Sequence, residues 1–248
     1  MSPARRFGGR ITWLGHAAFL LESPGGARIA VDPWIANNPK FPEGFDYGRL
    51  DAIAATHGHF DHFGDDGVAL AKKTGATVVG IFELTLHCEA AGAKTSGMNK
   101  DGSQTVAGVE IRMTHAVHSS GTSGAGRANN YPGDPCGYVF TFEDGYRVYH
   151  AGDTAVFSDM ALIGELAKPD LALLPIGGYY TMDPLRAAKA CELLGVPRVI
   201  PMHWGTFPVL AGTPAGLRDE IGARGLATEV VELAPGGSWP EPSPPSSR

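Results

Sequence analysis

Hydrophobic positions in this chain fall into short runs divided by turn-forming residues, and the period of the runs changes along the sequence. Residues 11–14, 18–21 and 28–31 are brief strand candidates, with Ser23-Pro24-Gly25-Gly26 as the turn before the third. Residues 65–74 (DDGVALAKKT) predict a helix closed by Gly75, acidic at its start and basic near its end, as the helix dipole favours. A buried strand over 77–81 and a helix over 83–91 follow, and this alternation predicts layered α/β packing. From Thr105 the pattern turns to strands, at 105–106 and 109–113. Alternating strands at 138–142 and 146–150 then flank Glu143-Asp144-Gly145, a hairpin signal. A helix over 157–166 is broken by Lys168-Pro169-Asp170, and an apolar strand occupies 171–175. The next helix, 185–194, has Asp183 as N-cap and Pro184 at its first position. A buried strand at 199–202, a helix at 213–224 and a strand at 228–233 complete the series. No repeat of 20–50 residues is visible, although the two halves share a βαβ-like order of elements.

Composition narrows the class. At 43% hydrophobic and 19% charged residues, the chain reads as an ordinary soluble globular protein. A net charge of −6 argues against a nucleic-acid surface. No apolar run reaches the roughly 18 residues that would span a membrane, and MSPARRFGGR lacks the apolar segment of a signal peptide. Three scattered cysteines make no disulfide framework, so the cytosol is the expected compartment. Residues 1–9 read as a mobile lead-in, 1–238 as a single domain, and 239–248 as a disordered Pro/Ser-rich tail. The irregular stretch 35–50 suits either a surface loop or a wall of a binding site.

The chemistry concentrates in DAIAATHGHFDHFG. An apolar run ends at Thr56, and His57, His59, Asp61 and His62 follow within six residues, in a chain with only nine histidines. Side chains two apart in an extended segment share a side, so His57 and His59 can hold one ion. Asp61 and His62, at a turn, can reach a second ion about 3.5–4 Å away. Imidazole and carboxylate suit zinc, manganese or iron. Two later histidines, His115 and His118 in THAVHSS, compete for a further ligand position, and spacing alone does not separate them. Residues 119–137 form a Gly-rich segment that suits a loop touching substrate or, in its first half, equally a disordered surface loop; Arg127 and Tyr131 are the side chains to test. Asp153, in AGDT, follows a strand end behind a glycine that permits close backbone approach, which suits a carboxylate shared by two metals. His150 reads as a packed strand residue, Cys136 as structural, and Asp32, in VDPW, as a turn or supporting carboxylate.

HGHFDH matches the HxHxDH signature of the metallo-β-lactamase superfamily. WLGHAAF, VDPW, AGDT and PMHWGTF resemble its ascorbate-6-phosphate-lactonase-like branch, and within it a family of metal-dependent hydrolases. The resemblance runs from about Ile11 to Trp239 and implies the four-layer αββα sandwich of the metallo-β-lactamase fold. It selects His118 over His115. It also implies one metal on His57, His59, His118 and Asp153, and another on Asp61, His62, His203 and the shared Asp153. His16 would lie at the rim of the cleft, with Thr206, Trp204 and Phe207 shaping the pocket, so His16, Tyr131 and Thr206 are the expected substrate contacts. Two divalent ions, zinc before manganese or iron, would generate a hydroxide that attacks a small ester, lactone or phosphoester, with Asp61 orienting it or passing a proton. The alternatives are a nuclease or phosphodiesterase, a single-iron oxidoreductase, and a non-catalytic metal-binding scaffold. The expected partner is a small molecule, with no membrane, nucleic acid disfavoured and a homo-oligomer allowed.

Overall fold

Two seven-stranded sheets lie face to face and repeat one plan. The computed structural model describes residues 5–122 and 130–240. The first sheet takes β1 (Arg10–Trp13), β2 (Phe19–Glu22), β3 (Arg28–Val31), β4 (Ala52–Ala54), β5 (Thr77–Ile81) and β6 (Thr95–Met98). The second takes β7 (Ser103–Val106), β8 (Val109–His115), β9 (Cys136–Thr141), β10 (Arg147–His150), β11 (Leu171–Pro175), β12 (Arg198–Met202) and β13 (Glu229–Val230). The last strand, β14 (Ser238–Trp239), returns to pair with β1. In each sheet an antiparallel meander, β1–β3 or β7–β10, continues into a parallel half, β3–β6 or β10–β13.

Parallel neighbours need crossovers, and helices supply all but the β3–β4 connection, which is the irregular stretch 32–51. α1 (Gly64–Thr74) and α2 (Phe82–Ala90) serve the first sheet. α3 (Met160–Ala167), α4 (Pro184–Leu194) and α5 (Pro214–Ala223) serve the second. The result is the αββα sandwich of the metallo-β-lactamase fold. Its main core lies between the sheets, where Ile11, Phe19, Ile29, Ile111, Tyr138 and Val148 are fully buried. A second core joins α3, α4 and α5 to the outer face of the second sheet.

Local signals hold where they carry chemistry of their own. Gly75 ends α1 at φ 73°, its N–H donating to the Ala71 carbonyl. Asp183 caps α4 by accepting from the Arg186 N–H at 2.9 Å. Two edge elements lack an apolar pattern and escape sequence reading: half-exposed β6, and β14. β14 also places Trp239, the first residue of the expected tail, in the first sheet opposite Ile11. Trp239 stacks 6.1 Å from Phe7, and Phe7 is buried against Phe142 and Tyr146, so part of the expected lead-in belongs to the core. The tail expectation for 241–248 lies outside the described residues.

The plan positions a site. Asp32 follows β3, Thr56 and His57 follow β4, Asp153 follows β10 and His203 follows β12. All four positions are carboxyl ends of strands in parallel pairs, where open α/β sheets bind ligands.

Candidate metal centre

β4 is buried over its length and releases the chain into an irregular segment held by Asp32. Asp32 accepts from the Thr56 N–H at 2.8 Å and from its hydroxyl at 2.5 Å. With its proton committed, Thr56 Oγ1 accepts from His57 Nδ1 at 3.0 Å, which leaves His57 Nε2 as a ligand atom. That nitrogen lies 2.9 Å from His59 Nδ1, and His118 completes a group of three donors. The ring centroids stand 4.5, 5.3 and 5.3 Å apart, as expected for imidazoles converging on one ion.

Beside it lies a second group, His16, Asp61, His62 and His203, whose ligand atoms all fall within 4.8 Å of one another. His62 Nδ1 is tied to Asp32 Oδ2 at 2.8 Å, so its Nε2 faces inward. Asp153 stands between the groups. Its Oδ2 is 3.0 Å from His203 Nε2, 3.2 Å from His62 Nε2 and 3.5 Å from His118 Nε2. The preceding Gly152 has φ 62°, and a Cβ there would lie 2.5 Å from the Cys136 carbonyl oxygen. Three site residues other than glycine also occupy the left-handed region: His16 at φ 55°, Asp32 at 44° and His203 at 54°. Such conformations persist only where surrounding contacts over-determine them.

The charges are arranged for a cation. Burial alone would raise the Asp153 carboxyl, but His203 and His62 outweigh it and hold it well below the usual range. Asp61 is likewise brought down to about 2, its burial offset by His16 and His62. Burial keeps His57, His59 and His118 neutral by lowering their pKa values. His62 is the exception: burial would lower it, yet Asp153 and Asp32 raise it well above normal. Neutral imidazoles facing ionised carboxylates are the donor set of a divalent metal. His62 Nε2, His203 Nε2 and Asp153 Oδ1 are buried without a hydrogen-bond partner, an arrangement that a bound ion satisfies. The residues fit the metal.

Above the donors opens a cleft of about 610 Å³. His59, Asp61, His118, Asp153 and His203 border it on one side, and Phe60, Tyr180, Phe207, Pro208 and Val209 supply apolar walls.

The Beta-lactamase superfamily domain matches residues 10–203, a span that contains every donor described above. A UPF0173 metal-dependent hydrolase of Rubrobacter xylanophilus is 50% identical over 231 residues, covering 92% of this chain and 95% of its own. This chain belongs to that family. A second member, from Solibacter usitatus, is 52% identical over 227 residues, covering 91% of this chain and 97% of its own. Among solved structures, Igni18, a metallo hydrolase from the archaeon Ignicoccus hospitalis, superposes with a TM-score of 0.81 at 37% identity. The match covers 93% of this chain and 97% of that one.

In this UPF0173 hydrolase all seven donors read from sequence and resemblance come together: His57, His59, Asp61, His62, His118, Asp153 and His203. His115 is exposed and packs on Phe157, outside the groups. His150 is a buried strand residue whose ring bonds to the Ala17 carbonyl and the Gly152 N–H. None of the three expected substrate contacts is among the described residues that line the cleft. His16 is fully buried beneath the cleft, not at its rim, because Trp34, Phe207 and His203 pack around its ring. Thr206 turns towards His16, with Oγ1 3.0 Å from Nδ1, and away from the cleft. Tyr131 is 66% exposed and donates its phenol to Asp134. Arg127 lies outside the described residues. Sequence reading missed Thr56 as a support for His57 and Phe60 as a wall; Phe60 was visible only as the aromatic inside HGHFDH.

Proposed function

We propose that this protein is a dinuclear metallohydrolase acting on a small, uncharged ester or lactone, with zinc the first candidate metal and manganese or iron the alternatives. The observation that carries the reading is Asp153, whose Oδ2 lies within reach of His118 from one donor group and of His62 and His203 from the other. Bound there, two divalent ions would supply an activated water at neutral pH and polarise the scissile carbonyl.

The chain's own residues do the rest. Asp61 borders the cleft and stays ionised, so it can take the proton of the attacking water and deliver it to the leaving oxygen. Phe60, Phe207, Pro208 and Val209 offer an apolar bed for the acyl part of the substrate. Among the described residues that line the cleft there is no lysine or arginine. A phosphate held away from the ions would find no cationic side chain among these described residues. Resemblance to the lactonase-like branch supports ring-opening chemistry, and the described lining favours a substrate whose part away from the ions is uncharged. Three free, buried cysteines accord with the cytosol as its compartment.

The test is elemental mass spectrometry on protein purified without added metal, followed by a panel of aryl esters, γ- and δ-lactones and a phosphodiester. About two zinc or manganese ions per chain, with esters or lactones preferred, is the expected result. His59→Ala and Asp153→Ala variants that remain folded should lose turnover. A single iron would redirect the reading to oxidative chemistry, and protein that takes up no metal would remove the mechanism.

A further inference from the structure

His16 has no place in the seven-donor set, yet its side chain is fully buried against that set. Its backbone is locked at φ 55°, with the Trp13 indole N–H and the His203 N–H both donating to its carbonyl at 2.9 Å. One ring nitrogen, Nδ1, meets Thr206 Oγ1 at 3.0 Å. The other, Nε2, lies 3.3 Å from Asp61 Oδ2 and is buried without a hydrogen-bond partner.

Two arrangements use that Nε2: a further ligand of the second ion, or a donor that steadies Asp61. Two imidazoles bound to one ion at about 2.1 Å place their ring centres roughly 4.5–5.5 Å apart. His62 and His203 satisfy this at 5.5 Å. The His16 and His203 rings are only 3.8 Å apart and tilted by 43°, a face contact too close for both to bind one ion. The geometry points to the second arrangement.

We propose that His16 is a positioning residue for Asp61. Thr206 donates its hydroxyl proton to Nδ1, which fixes the tautomer that carries a proton on Nε2. That N–H faces Asp61 Oδ2 and, once a metal holds Asp61, would donate to it and leave Oδ1 for the ion. The inference rests on reading Asp61 as a ligand of the second metal. It assigns to His16 and Thr206 a supporting function that neither would have as a substrate contact. Outer partners of this kind typically set metal affinity by 10–100-fold.

The test is a stepwise Co²⁺ titration of the metal-free full chain, read by visible absorption and calorimetry. His16→Phe keeps the ring against His203 and removes the donor, whereas His16→Gln keeps an amide N–H near the Nε2 position. His16→Phe should weaken the second equivalent 10–100-fold. His16→Gln should stay within about threefold, Thr206→Val should fall between them, and the first equivalent should not change. Equal losses in the Phe and Gln variants, or no loss in either, would overturn the proposal. If the variants do not fold, the wild-type dicobalt protein decides through its contact-shifted histidine rings. At most five, from His57, His59, His62, His118 and His203, supports an outer His16, and a sixth overturns it. Wild-type protein that binds no cobalt sinks both this inference and the proposed function. Two bound ions with no hydrolysis of any panel substrate would sink only the function.

Discussion

Asp32 and His62 form a fully buried pair, with Oδ2 2.8 Å from Nδ1. Because Asp32 is itself pinned by the Thr56 N–H and hydroxyl, the His62 ring cannot turn, and its Nε2 stays aimed at Asp153. Asp32→Asn should therefore weaken binding of the second metal by about 10–100-fold. Asp32→Ala should also cost the metal-free protein about 3–5 kcal/mol, since it strands a buried partner. Chelator competition and chemical denaturation measure the two effects. Unchanged metal affinity in Asp32→Asn would refute the orienting role.

His118 and His115 are three positions apart in sequence but play separate parts. His118→Ala should lower kcat/KM by at least about a hundredfold, as loss of a metal ligand does. His115→Ala, an exposed change, should shift stability by no more than about 0.5 kcal/mol and leave turnover nearly intact. Steady-state kinetics on the same substrate settles the order, and the reverse ranking would place the wrong histidine in the site.

At Gly152 the backbone conformation and the neighbours agree. A methyl group would meet the Cys136 carbonyl at 2.5 Å and Thr56 Cβ at 3.0 Å, in a residue already at φ 62°. Gly152→Ala should cost roughly 1–3 kcal/mol of stability and displace Asp153. A normal denaturation midpoint with normal metal stoichiometry would show that the close approach is unnecessary.

The metal-free protein should be most stable near pH 6.5. His16, lowered to about 4, and His57, His118 and His150, also lowered by burial, stay neutral in the fold while the unfolded chain protonates at its ordinary value. The unfolded state thus binds more protons below pH 6.5, and stability falls there by up to about 1.4 kcal/mol per pH unit for each such group. His62 acts in the opposite sense. Its raised value adds stability that is fully present below 6.5 and lost as pH rises through the folded value. Asp61 and Asp153, both lowered, add stability present above their unfolded value of 3.8 and lost as pH falls through the folded one, about 2 for Asp61. Thermal melts of chelated protein at pH 5, 6.5 and 8 check the curve, and a flat profile contradicts it.

What the sequence revealed followed from how locally each feature is encoded. His57, His59, Asp61 and His62 are neighbours along the chain, so their convergence needs no tertiary knowledge. Asp153 was legible as a carboxylate leaving an apolar strand, whereas His203, at the end of another, took its role from the family pattern. His118 needed the family pattern, because β8 ends at His115 and the inward turn comes after the strand. His16 was misread since its partner Thr206 is 190 residues away, and nothing in LGHAAF announces that bond. β14 and Phe7 were missed for a related reason: a two-residue strand has no period, and its apolar payload, Trp239, packs against residues from the other end of the chain.

The donors are divided between the sheets: His57, His59, Asp61 and His62 hang from the first, and His118, Asp153 and His203 from the second. Bound ions would thus rivet the two halves together at one rim. Such a rivet forms only once the halves have docked, so it adds little to the speed of folding and much to the barrier against coming apart. The lifetime of the folded chain, read as resistance to slow proteolysis, then becomes a measure of its metal supply, quite apart from any reaction it performs.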